Sequence, residues 1–168
     1  MKRLHVALLI LTLCFPFASV VRAQSPTGVL SAEQVKKVAP SVYFFRGQSA
    51  GVQLRNSAGF AAEGGKLVLA GLVDTSGYSS DVAAKYQGFL ITEVKLEVEG
   101  TELAPGEYGF GFSKEGKFLV MDVGADDLFT VSAHRDENLH RPVPLQIVKE
   151  GDGYHLYAGR QWVSLKVK

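Results

Sequence analysis

Apolar residues change their spacing once along this chain, and the change separates a short helical lead-in from a long run of strands. Ser31-Ala32-Glu33-Gln34 has the form of a capping box: the Ser31 hydroxyl is placed to accept from the Gln34 amide, whose side chain reaches back. Val35 and Val38 continue that helix until Pro40 stops it by Ala39. From Ser41 the period becomes two. Val42-Tyr43-Phe44-Phe45 and the alternation that begins at Val52-Gln53-Leu54 are rich in strand formers. Lys66 to Val73 is apolar after its first residue, the pattern of a strand covered on both faces. Val94, Leu96 and Val98 instead alternate with Glu93, Lys95, Glu97 and Glu99, as in a strand with one face in water.

Further strands are predicted at Glu107 to Phe112, Lys117 to Val123, Leu128 to Ala133, Val143 to Val148, Tyr154 to Ala158 and Trp162 to Val167. Lys114-Glu115-Gly116 forms the turn between the first two. Gly159-Arg160 joins the last two as a tight hairpin, because glycine supplies the positive φ that the first position of a type II′ turn needs. That hairpin sends Val163, Leu165 and Val167 to the core and Ser164, Lys166 and Lys168 to solvent. A second short helix is predicted over Asp81 to Gln87, capped by Ser79 or Ser80 and stopped by Gly88. Many short strands, frequent turns and one or two short helices make an all-β fold, an antiparallel β-sandwich with a barrel as second choice.

The amino terminus follows neither period. Lys2 and Arg3 make a basic start, the stretch from Val6 to Leu13 is apolar except for Thr12, and Phe15-Pro16-Phe17 closes the apolar region. Ala18-Ser19-Val20-Val21-Arg22-Ala23 then offers Val21 and Ala23 at the two positions a signal peptidase reads. Residues 1–23 are thus read as a cleavable signal peptide and 24–168 as a single exported domain, periplasmic or extracellular. Pro16 falls where a membrane anchor needs an unbroken helix, so no membrane span is expected after signal removal. Cys14 is the only cysteine, and Leu13 before it is too large for a lipoprotein acceptor site. The domain can form no internal disulfide, and packing alone must stabilise it.

Charge narrows the partners. The signal holds Lys2, Arg3 and Arg22 and no acid, so the domain carries 15 basic residues against 17 acidic ones. Without a basic excess, nucleic acid is not an expected partner.

Asp74-Thr75-Ser76-Gly77 has the outline of an aspartic-protease turn, but it occurs once and that chemistry needs two carboxylates sharing a proton. It reads as a strand-ending turn. His134, Asp136, Glu137 and His140 form the densest cluster of metal-ligating side chains, at a spacing that matches no established metal motif. Arg135 and Arg141 flank it, disfavouring a dication and favouring ion pairs with the two acids. No serine lies in a Gly-x-Ser-x-Gly elbow, so no residue is assigned a catalytic role, and no cofactor is called for.

Tyr108-Gly109-Phe110-Gly111-Phe112 places three aromatics on one side of a strand and two glycines on the other. Glycine in a strand marks close approach by something else, a neighbouring aromatic or a bound ligand. Tyr108, Gly109 and Gly111 are therefore candidate binding residues. Tyr157 and Trp162 join them, as aromatics able to line a concave site together with Tyr78, Tyr86 and Tyr154.

Leu103-Ala104-Pro105-Gly106-Glu107-Tyr108, following the Glu99-Gly100-Thr101 turn, resembles the Leu-x-Ala-Gly-Thr-Tyr strand segment of a family of secreted bacterial β-rich proteins of unknown function. Arg141-Pro142-Val143-Pro144-Leu145 resembles that family's later Arg-Val-Pro-Leu strand start, and the resemblance spans about 89–148. It implies a sandwich-like fold and no activity. The expectation is an exported, noncatalytic β-domain binding a small molecule, a glycan or an envelope protein. The alternatives are a metal-dependent or hydrolytic enzyme using the 134–141 loop, and a structural envelope module.

Overall fold

The computed structural model describes residues 27–168; the signal read over residues 1–23, with Cys14, lies outside the described residues. In chain order the elements are β1 (Gly28–Val29), α1 (Ala32–Val38), β2 (Val42–Phe45), β3 (Gln48–Ala61), β4 (Leu67–Val73), α2 (Ser80–Lys85) and β5 (Gly88–Thr92). They continue with β6 (Leu96–Val98), β7 (Thr101–Leu103), β8 (Gly106–Phe112), β9 (Lys117–Met121) and β10 (Asp127–Ser132). β11 (His134–Arg135), β12 (Gln146–Glu150), β13 (Gly153–Ala158) and β14 (Gln161–Val167) complete the chain.

All strand pairs are antiparallel. The larger sheet runs β1-β3-β4-β5-β8-β9-β10, with β2 added to β3; the smaller runs β12-β13-β14-β6-β7, with β11 added to β14. Neither order closes on itself, so the fold is the expected sandwich and not a barrel. The main core lies between the sheets, where Phe60, Phe110, Phe118, Leu90, Leu96, Leu156 and Leu165 are fully buried. Tyr154 stacks on Phe60 across this interface, ring centroids 3.7 Å apart.

A second core covers the opposite face of the larger sheet. β3 bends at a register shift between Val52 and Ser57, so its first half and β2 fold back over the sheet as a lid beside α2. Tyr43 and Phe45 from the lid, with Tyr86 at the C-cap of α2, bury Leu69, Phe89 and Met121. β4 is therefore packed on both faces, which explains its nearly continuous apolar run.

α1 carries both halves of its capping box, and Pro40 follows its C-cap Ala39. α2 begins after Ser79, whose side chain makes no capping bond. β5 is a strand that alternation does not mark: Gly88-Phe89-Leu90-Ile91-Thr92 is a short apolar run beside a helix, where periodicity cannot separate helix from strand. β12 starts at Gln146, not at Val143, because Pro142 and Pro144 lack the amide a ladder requires. The Gly159 turn forms with φ +60, and Val163 and Leu165 are buried, but Val167 at the strand end is 40% exposed.

Candidate functional site

The five candidate binding residues divide between the two sheets. Phe110 and Phe112 enter the main core and Tyr108 packs partly against it, its hydroxyl donating to the Ala104 carbonyl at 2.9 Å. Gly109 and Gly111 face the lid. A Cβ on Gly109 would run into the Phe45 ring, and one on Gly111 into the Lys85 carbonyl at the end of α2. The close approach inferred from these glycines is real, and this chain itself supplies it. The ligand reading of Gly109 and Gly111 is accordingly replaced by a packing one: strand β8 must lack Cβ atoms where an aromatic ring and a helix terminus press on it.

The other aromatics also separate. Tyr78 and Tyr86 sit in the second core, where Tyr86 stacks on Phe45 at 3.8 Å, and Tyr154 lies in the main core. Tyr157 and Trp162 remain, and both emerge on the outer face of the smaller sheet.

Strand register builds that face. Across the Gly159-Arg160 hairpin, Trp162 of β14 pairs with Tyr157 of β13, and on its other side it pairs with His134 of β11. Side chains on one face recur every second residue, so His155, two positions before Tyr157, shares the surface. The His155 ring stacks on the indole at 3.8 Å and 19°, and the His134 ring at 4.4 Å and 25°. Because β11 and β13 flank β14 from opposite sides, the imidazoles cover opposite faces of the indole. Tyr157 stands 6.1 Å from Trp162 and 6.2 Å from His155, completing a row of four rings. Gln146 of β12 pairs with Tyr157 and Val148 with His155, extending the face by one strand.

Glu99 anchors one end. It occupies a two-residue turn between β6 and β7 with φ +47, a left-handed conformation unusual for glutamate, followed by Gly100. Its carboxylate accepts from the Ser164 amide and lies 3.1 Å from Nε2 of His134. Burial pushes the Glu99 carboxyl up, but the Ser164 amide and His134 outweigh it and hold the group below the usual glutamate range. Burial also lowers the pKa of His155; His134 acts in the same direction, and Glu150 and Glu99 oppose it.

The four metal-ligand candidates are not brought together. His134 belongs to the ring row, Glu137 pairs with Arg135 at 2.6 Å, and Asp136 accepts from the Asn138 amide at 2.9 Å, with His140 exposed in the following loop. Among the described residues, no group of three or more His, Cys, Asp or Glu side chains converges on one point. The Asp74 turn is closed by the Ser76 amide donating to the Asp74 carboxylate at 3.0 Å.

His155 and Glu99 are members that sequence reasoning missed. The predicted hairpin already placed Trp162 opposite Tyr157, and alternation along β13 could have added His155. Nothing local points to Glu99, which lies 65 residues from Ser164. No helix among the described residues is long and apolar enough to cross a membrane. Comparison with protein-family models, with curated proteins and with solved structures finds no match to this chain.

Proposed function

We propose that the protein is an exported, noncatalytic binding module whose ligand is a sugar held on the outer face of the smaller sheet. The observation that carries this reading is the ring row of His134, Trp162, His155 and Tyr157 on a surface facing solvent. Cross-strand stacking fixes these rings before any ligand arrives, which reduces the ordering that binding requires. Beside them, the Tyr157 hydroxyl and the Gln146 amide face outward next to apolar ring surface.

A sugar ring matches that composition, having an apolar C–H face and hydroxyl edges. The indole faces are already covered, so the sugar packs on Tyr157 and the outer face of the neighbouring imidazole, with Gln146 and the Tyr157 hydroxyl meeting its edges. Aromatic surface with a few convergent polar groups is the general make-up of small-molecule sites. Glu99, the nearest carboxylate to the row, is engaged by a main-chain amide and an imidazole. That engagement suits a role in holding the rings.

Trp162 is the only tryptophan, so its emission reports this face alone. Titration with glucose, N-acetylglucosamine and their short oligomers is expected to give a saturable change in emission with at least one of them. Tyr157→Ala and Gln146→Ala are expected to abolish that change while the melting temperature of the unliganded protein is retained. Neither a saturable change nor a thermal shift across the whole set would defeat the sugar reading.

A further inference from the structure

β2 is an edge strand whose outer side, among the described residues, is open at Val42 and Phe44 and is met at its turn end by the Val123 carbonyl, which accepts from the Arg46 amide at 2.7 Å. The Arg46-Gly47 turn, with φ of 48 and 79, closes β2 onto β3 with Phe45 opposite Gln48. Residues flanking such a turn exchange both ladder hydrogen bonds, so Phe45 and Tyr43 direct their main-chain groups at β3. The Val52 amide donates to the Ser41 carbonyl at 2.9 Å, continuing the same alternation. The main-chain N–H and C=O groups of Val42 and Phe44 therefore point away from β3, and among the described residues no other strand pairs with them.

Their side chains are outside as well, Val42 53% and Phe44 59% exposed. Natural edges are usually guarded by lysine, proline or a bulge. This one instead presents two large apolar side chains. It borders a groove over the outer face of the larger sheet, floored by Leu67, Leu69 and Ile91. Glu93 and Glu107 stand exposed along that groove; Glu93 accepts from the Leu67 amide at 2.7 Å, and neither belongs to an ion pair among the described residues.

We propose that this edge is a docking site for an extended, basic segment of a partner protein, added as a strand beside β2. The open main-chain groups at Val42 and Phe44 specify an extended chain, because only a strand satisfies them in alternation. Every second side chain of that segment descends to the apolar floor, and its cations meet Glu93 and Glu107. A second copy of this chain would bring the uncharged strand Val42–Phe45 with Arg46 at its turn, one cation against two carboxylates, whereas a segment with alternating cations matches both. Charge complementarity therefore selects a foreign basic segment.

The test uses the purified chain and a blocked synthetic peptide in which valine alternates with lysine, followed by amide hydrogen exchange in NMR spectra. The peptide is expected to slow exchange at Val42 and Phe44 while leaving Tyr43 and Phe45, already in the ladder, unchanged. Glu107→Lys, at an exposed position, is expected to weaken binding roughly two- to fivefold, as for a surface charge pair. A peptide with glutamate in place of lysine is expected to bind still more weakly. Equal binding of both peptides, or unchanged exchange at Val42 and Phe44, overturns the proposal. So does slow exchange at these two amides without peptide: if concentration-dependent and accompanied by a dimer mass, the edge belongs to a second copy, and if concentration-independent, to this chain itself.

Discussion

His155 shows how a single residue on the ring row couples its environment to pH. Its folded pKa is lowered, chiefly by burial against Trp162 and its neighbours, while the unfolded chain keeps an ordinary histidine value near 6.5. Below that value the unfolded state takes up the proton first, so the unfolded state binds more protons and stability falls with falling pH. The loss begins as pH drops through the unfolded value and ends below the depressed folded one. Glu99, whose folded pKa is also depressed, loses its contribution only in the more acidic carboxylate range, outside this window. His155→Phe keeps a ring in the stack and removes the titration. The melting temperature of the parent is expected to fall more steeply between neutrality and mild acid than that of the variant. Thermal melts across that range check it, and parallel slopes would refute the assignment.

At the scale of elements, the contact between β8 and the lid accounts for an otherwise weak strand. Gly109 has lower strand propensity than valine, yet Phe45 occupies the space a side chain needs, and Phe45 is itself held by its stack on Tyr86 at 3.8 Å. Gly109→Val is therefore expected to destabilise the protein by about 1–3 kcal/mol through overpacking. Phe45→Ala alone is expected to cost about 3–5 kcal/mol by opening a cavity. Combined, the two changes should cost clearly less than their sum, since the valine then fills space that the ring vacated. Urea unfolding of the three variants measures this coupling. Simple additivity would show that the glycine and the ring act independently.

For the whole molecule, the larger sheet is common to both cores, and β4 contributes Val68 and Ala70 to one and Leu69 and Val73 to the other. Losing the lid would expose one face of the strands that hold the main core together. Unfolding is therefore expected to be a single cooperative transition. Two probes are compared: Trp162 fluorescence follows the smaller sheet, and near-ultraviolet circular dichroism adds the six tyrosines, of which Tyr43, Tyr78 and Tyr86 lie in the second core. Their urea transitions are expected to superimpose. Earlier loss of the tyrosine signal would identify the lid as a separate unit.

The alternation of apolar residues, the capping box at Ser31, Pro40 and the Gly159 turn were enough to determine strands, one helix boundary, a hairpin and a sandwich. These features act between residues close in sequence, and a period of two has one structural meaning. β5 escaped because its five residues carry no alternation. The identity of what presses on Gly109 and Gly111 was a tertiary matter, since Phe45 reaches the first only after the lid folds back and Lys85 the second only after α2 packs against β8. The same holds for the ring row. Tyr157 and Trp162 were legible as a cross-hairpin pair, but His134 and Glu99 join them through pairing of strands distant in sequence, and alternation within one strand carries no information about which strand will lie beside it.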